Sequence, residues 1–210
     1  MGARDSSWII AIGASGSQGL RDIEALLASL PADLPAIVMV VLHRPWNHAS
    51  RLGAILGRAA SMPVIVAAED ERLRVGHVYL GEPAEHLTLV ARSFGGLIQD
   101  ADRHYGNRTI DLLFRSVAIH AGHRMVGIVL SGALDDGSRG LAAIHEAGGI
   151  TMVLTPEGPS GESDMARNAI GFDGPIDLIG SSRQIAHGIC RLVQDDADRL
   201  CRPDDPEECR

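Results

Sequence analysis

The sequence contains no lysine; all 19 of its basic residues are arginine. That absence excludes a Walker-type phosphate loop, a Schiff-base lysine and a Tyr/Lys reductase pair, because each needs an ammonium group. Aromatic residues make up only 3% of the chain, so the core must be built from Ala, Val, Ile and Leu. Positive charge is in deficit as well. A net charge of −8 leaves no basic stripe to meet phosphates, and no nucleic-acid partner is expected. No apolar run approaches the roughly 20 residues that span a bilayer. Met1–Ser7 lacks the apolar stretch of a secretion signal. A cytoplasmic protein without membrane insertion is therefore expected. The cysteines Cys190, Cys201 and Cys209 are odd in number and lack CxxC spacing, which gives neither a disulfide framework nor a zinc site.

What is present has an ordinary globular balance. The 210 residues are 45% hydrophobic and 22% charged, enough for one larger domain. The spacing predicts a domain over 8–194 and a polar, Pro-broken tail over 195–210 that is expected to be disordered. Continuous apolar runs at Trp8–Gly13, Ala36–Leu42, Pro63–Glu69, Met125–Gly132 and Ile150–Leu154 read as strands covered on both faces. Helical periodicity occupies Leu20–Leu30, Ser50–Ala60, Ile110–Ala121, Leu141–Ala147, Asp164–Ile170 and Arg183–Ala197. "HVYLGE" and "LTLVARS" read as two short strands, arranged as a hairpin, and a last short strand falls near Ile176–Ile179. This alternation predicts a doubly wound α/β fold of three layers, with a mostly parallel sheet, helices on both faces and a small antiparallel addition. In such sheets, sites form at the carboxyl ends of the strands.

Ser15 follows the first strand, His43 the second, and Asp135-Asp136 the strand that ends near Leu130. A serine hydroxyl attacks a carbonyl only when an imidazole takes its proton, and the imidazole needs a carboxylate to hold its tautomer. A strand-to-helix turn also aims backbone N–H groups at a developing oxyanion. The chain order Ser, His, Asp differs from that of the α/β hydrolases, and "GASGS" lacks their GxSxG spacing. Two rival readings stand beside this one. A serine in a glycine-rich turn is most often turn chemistry alone. Gly13-x-x-Gly16-x-x-Gly19 resembles a dinucleotide loop, with Arg44 placed for the 2′-phosphate of NADP, although the spacing is not GxGxxG. A metal reading of His120 and His123 lacks a carboxylate at ligand spacing, and no cofactor is expected.

In order, "IGAS", "VLHRP", "LRVGHVYLGEPAEHLTL", "RTIDLLFRSVA" and "VGIVLSGALDDGSRGLAAIHEAGGITMVL" resemble the catalytic domain of the CheB-type chemotaxis protein-glutamate methylesterases. The resemblance covers about Trp8 to Val193. It implies hydrolysis of glutamate γ-methyl esters on the cytoplasmic helices of chemoreceptors, and deamidation of selected glutamines. It implies Ser15 as nucleophile, His43 as general base and Asp136 as the orienting carboxylate. Gly16, His86 and Met165 fall at positions that line the family's site. Four features depart from the family pattern. The turn reads Gly16-Ser17-Gln18-Gly19, where a glycine pair is usual. The aspartate loop reads Gly-Ala-Leu-Asp-Asp-Gly. Met165 is followed by Ala166 rather than proline. The chain also begins with the catalytic domain rather than a receiver domain, so control by a separate response-regulator or kinase partner is one expectation. A non-catalytic homologue that binds receptor-like helices, or one that uses another ester, is the alternative.

Overall fold

A computed structural model describes residues 7–44, 50–83, 85–100, 102, 104–105, 108–133, 135–157, 161–172 and 174–200, with side chains only as far as residue 196 at that end. Pro45, Leu134 and the tail from Cys201 onward lie outside the described residues.

Seven strands form one parallel sheet. They are β1 (Trp8–Ser15), β2 (Ala36–His43), β3 (Val64–Val66), β4 (His77–Leu80), β7 (Met125–Val129), β8 (Ile150–Leu154) and β9 (Leu178–Gly180). A separate antiparallel pair is made by β5 (Glu85–Ala91) and β6 (Phe94–Gln99). The sheet order is β3-β4-β2-β1-β7-β8-β9. The central strand β1 is buried over almost its whole length, as a doubly covered parallel strand must be.

Side chains alternate between the two faces. Ile10 and Ile12 of β1, with Val38 and Val40 of β2, face a core shared with α1 (Gly16–Ala28), α2 (Leu52–Ala59) and α6 (Ser182–Leu200). Ile9, Ala11, Ile37 and Met39 face the opposite core, under α3 (Thr109–His120), α4 (Ser138–Glu146) and α5 (Asp164–Gly171). Each such aliphatic side chain taken from water contributes roughly 1.5–3 kcal/mol, so the two-sided burial of β1 and β2 fixes the register that the site depends on. At the opposite end of the sheet, Asp196 of α6 accepts from Trp8 Nε1 at 3.1 Å and pairs with Arg124, which ties the last helix to the starts of β1 and β7.

The fold class matches the expectation; a strand pairing and the end of the last helix differ from it. β4 does not pair with the strand that follows it. It inserts between β3 and β2 in the parallel sheet, while β5 pairs with β6, a strand the sequence did not announce. Gly95-Gly96 obscures β6 because glycine is depleted in strands. The glycines are needed all the same: a Cβ at Gly96 would lie 2.6 Å from Val90 Cγ1. The second difference is α6, which continues to Leu200, so residues 195–200 are helical rather than the start of a tail.

Candidate active site

The central strand β1 has β2 on one side and β7 on the other. The chain leaves β1 toward one face and β7 toward the other, which makes this the crevice where α/β sheets bind ligands. Ser15 is both the last residue of β1 and the N-cap of α1, with no loop between. Its backbone is extended (φ −142°, ψ 145°), and its side chain makes no capping hydrogen bond. Gly16 follows at φ +71° with nothing within 4 Å of where a Cβ would stand. That left-handed turn suits glycine, and it opens the start of α1 to a ligand.

Ser15 and His43 are direct partners in the register of β1 and β2. Side chains at paired positions point to the same face of a sheet. The alternation that sends Ile9, Ala11, Ile37 and Met39 toward α3 sends Ser15 and His43 to the same side. Gly13, two residues earlier on that face, shows why α3 can come so near. A Cβ there would stand 2.3 Å from Ile110 Cγ2. The missing side chain lets the N-terminus of α3 settle against the sheet, beside the serine.

The carboxylate arrives by way of α3. Asp136 is 2% exposed. Its Oδ2 accepts from the Ile110 N–H at 2.7 Å and its Oδ1 from the Asp111 N–H at 2.8 Å. A negative charge at a helix N-terminus is stabilised by these unsatisfied amides and by the helix dipole. The same Oδ2 lies 2.7 Å from His43 Nε2. The approach lacks hydrogen-bond geometry at the ring N–H, so it is a close ion-pair contact rather than an aligned hydrogen bond. With Nε2 on the carboxylate, Nδ1 is the nitrogen left to face a hydroxyl.

Asp111 repays the contact. Its Oδ1 accepts from Gly137 N at 3.0 Å and from Gly140 N at 2.7 Å, at the start of α4. Each aspartate thus caps the helix next to the other. Burial raises the Asp111 pKa above the ordinary carboxylate value, and the neighbouring Asp136 charge pushes it the same way. The resemblance marked Asp136 and passed over Asp111. Its position in "RTIDLLF", in the first turn of a helix that lacks a Ser, Thr or Asn cap, was the available signal.

The other candidate residues are placed as follows. Gly132 draws the β7 turn against the serine: a Cβ on it would sit 2.6 Å from Ser15 Cβ and 2.9 Å from Met165 Cε. Ser15 N donates to Ser131 O at 3.0 Å, and Met165 N to Gly132 O at 2.9 Å. Met165 is fully buried, so it forms the floor beneath the turn rather than a surface for substrate. His86 of β5 is built into a different cluster. Its Nε2 lies 3.0 Å from Asp100 Oδ2, and its ring meets Tyr105 edge-on at 5.8 Å. The structure does not bring His86 into contact with the Ser15, His43 and Asp136 group through any of these bonds. His120 is exposed at the end of α3, and His123 lies against Gly148.

The dinucleotide reading loses its cradle. Gly13 is sealed by Ile110, and a Cβ on Gly19 would stand 2.7 Å from Ser131 O; only Gly16 faces open space. Arg44 donates to the carbonyl oxygens of Gly81 and Leu42 at 2.6 and 3.5 Å, which engages its guanidinium with backbone rather than presenting it to a phosphate. The altered turn is also explained. Gln18 lies along α1, bonded to Asp22 at 2.9 Å and receiving Arg21 at 2.5 Å, so its side chain follows the helix instead of filling the turn.

Residues 10–189 match the CheB methylesterase family. A protein-glutamate methylesterase/protein-glutamine glutaminase 1 of Xanthomonas campestris pv. campestris is 37% identical over 153 residues, covering 71% of this chain and 42% of that protein. A protein of the same description without the numeral, from Yersinia pestis bv. Antiqua, is 33% identical over 177 residues, covering 83% of this chain and 50% of that protein. The chain therefore spans half or less of the length of these curated relatives. The crystal structure of the Thermotoga maritima CheB methylesterase catalytic domain superposes with a TM-score of 0.79 at 24% identity, over 89% of this chain and 99% of that one. With a family match over most of its length and a shared fold, the chain belongs to the CheB methylesterase family.

Proposed function

We propose that this chain is a serine hydrolase that cleaves glutamate γ-methyl esters on the cytoplasmic helices of chemoreceptors. Ser15 is the nucleophile, His43 the general base and Asp136 the carboxylate that orients the base. The observation that carries the reading is the 2.7 Å approach of His43 Nε2 to the buried Asp136 carboxylate, on a strand whose His43 is the register partner of Ser15.

In the first step, Ser15 Oγ attacks the ester carbonyl carbon while His43 Nδ1 takes the hydroxyl proton. The imidazolium is stabilised by Asp136, whose own charge is fixed by the α3 amides. The carbonyl oxygen becomes an oxyanion, and the uncapped start of α1, at Gly16 and Ser17, supplies N–H groups and a positive helix end for it. The C–O bond to methoxide breaks, and the imidazolium proton leaves with it as methanol. Water then adds to the acyl-serine by the same route, which frees a glutamate carboxylate and restores the serine. With glutamine as substrate, the leaving group is ammonia. Gly16 contributes through its backbone, and Met165 supports the turn from below.

The test is methanol release from a methyl-esterified receptor fragment. Ser15→Ala is expected to lower the rate by about 10⁴-fold or more, since removing the nucleophile of a triad costs on that scale. Equal release by the variant and the parent protein overturns the assignment. Retention of the fragment on the protein with release at background points instead to a binding module on the same scaffold.

A further inference from the structure

The same face of the sheet that carries Asp136 has a second feature that the chemistry does not use. A groove of about 800 Å³ runs between α3 and α4. On α3 it is lined by positions 115, 118 and 119; on α4 by 139, 142, 143, 146 and 147. These are one-sided helical stripes at i, i+3, i+4 and i+7 spacing. Five of the lining residues have side chains larger than alanine. Ile119 is 74% exposed, and Phe172, at the end of α5, is 39% exposed. Arg139 stands at the first turn of α4 with Arg115 across from it on α3. Neither arginine forms an ion pair among the described residues. Glu146 closes the far end, and every other lining position on the two helices is alanine.

Charge and shape point to one kind of occupant. The protein is acidic overall, at −8, yet this groove sets two guanidinium groups at its site end, Arg139 and Arg115, the latter also acting at longer range on the Asp111 charge. Between them and Glu146 lies a shallow alanine floor flanked by an exposed isoleucine and phenylalanine. Alanines let another helix approach closely, and large exposed apolar side chains beside a groove mark an interaction surface. Arginine is suited to bidentate pairing with carboxylates. One end of the groove lies beside the loop that carries Asp136. A neighbouring pocket of about 540 Å³ is lined by Asp135 and Ser138 and shares Phe172 with it, and Asp135 is the chain neighbour of Asp136.

We propose that the α3–α4 groove holds an acidic, amphipathic helix of the substrate protein while one of that helix's glutamyl esters reacts at Ser15. The partner's apolar stripe packs on the alanine floor against Ile119 and Phe172. Its free carboxylates meet Arg115 and Arg139 at the end nearest the site. The identity of the partner rests on the esterase reading; the docking surface does not. Hydrolysis itself makes a new carboxylate, so an already demethylated position on the same helix becomes a ligand for these arginines.

Three measurements on the full chain test this with the double variant Arg115→Glu/Arg139→Glu. The first is KM and kcat on a methyl-esterified receptor fragment. The second is hydrolysis of p-nitrophenyl acetate, which is too small to reach the groove. The third is fluorescence anisotropy of a labelled synthetic helix with glutamates at i, i+4 spacing and a leucine stripe. The double variant is expected to raise KM for the fragment about tenfold or more, to leave kcat and the small-ester rate unchanged, and to lose the anisotropy signal; the Lys/Lys variant should restore most of it. An unchanged KM, or an equal loss on both substrates, overturns the proposal. If the parent protein hydrolyses no ester at all, the esterase reading fails by itself, and the anisotropy arm still decides: binding that the reversal abolishes supports the groove, and no binding overturns it. A dimer that charge reversal splits also overturns it, in favour of a second copy as occupant.

Discussion

Three helix N-termini meet near the switch point, and they are treated in two ways. The starts of α3 and α4 are filled from within: Asp136 sits on one and Asp111 on the other. The start of α1 has no side-chain cap and no acidic residue in its first turn. A helix end that is neutralised permanently adds stability and holds its anion in place. One left unneutralised costs stability but remains ready for a charge that exists only during reaction. In the proposed mechanism, two ends build the machinery and the third is left for the substrate.

The sharpest way to break this contrast is to empty a filled end. Asp136→Ala leaves two buried amides and the imidazole without their acceptor. Esterase activity is expected to fall by about 10³–10⁴-fold, with a loss of about 1–3 kcal/mol in chemical denaturation. A stability loss without an activity loss would show that the carboxylate serves only the helix. Gly13→Ala is expected to come next. Its Cβ, 2.3 Å from Ile110 Cγ2, must push α3 off the sheet, at about 1–3 kcal/mol and up to about 100-fold in rate. Adding Ile110→Ala should recover part of both, and a double-variant cycle reads that coupling.

Asp111→Asn gives a subtler effect, seen in its pH dependence. Asparagine keeps an acceptor for Gly137 and Gly140 but carries no charge. Because burial and Asp136 raise the Asp111 pKa, the folded chain holds that proton more tightly than the unfolded chain does. The aspartate's relative stabilisation is complete below the ordinary carboxylate value of 3.8 and is lost as pH rises through the raised pKa. Denaturation curves across the acid range should therefore show the Asn variant gaining on the parent as pH climbs. A constant difference across that range would contradict the placement of the two carboxylates. The smallest effect is expected for Gln18→Gly. It loses helix propensity and the side-chain hydrogen bonds to Asp22 and Arg21, about 1 kcal/mol, while activity stays within about threefold, since the side chain lies along α1.

The strand ends were legible because apolar runs stop where the site begins. β1 and β2 are nearly continuous in Ile, Val and Ala, so Ser15 and His43 stand out as the first polar residues after each run. The family motifs then supplied Asp136. What was not legible depends on partners distant in the chain. Nothing local in "RTID" shows that its aspartate accepts from amides 26 and 29 residues away. The placement of β4 in the main sheet depends on β2 and β3, not on its own four residues. Gln18 looked like an obstruction in the turn because sequence gives a side chain's size but not its direction; Asp22 and Arg21, one turn on, set that direction. His86 and Met165 were carried over by motif, and each is placed by packing that the motif does not state.

The crossed arrangement of Asp111 and Asp136 has a consequence for how the molecule comes apart. Neither helix can fray at its front end without stripping an acceptor from the other. Amide hydrogens at the heads of α3 and α4 should consequently exchange with solvent in one shared opening event, so that this half of the crevice melts as a single block.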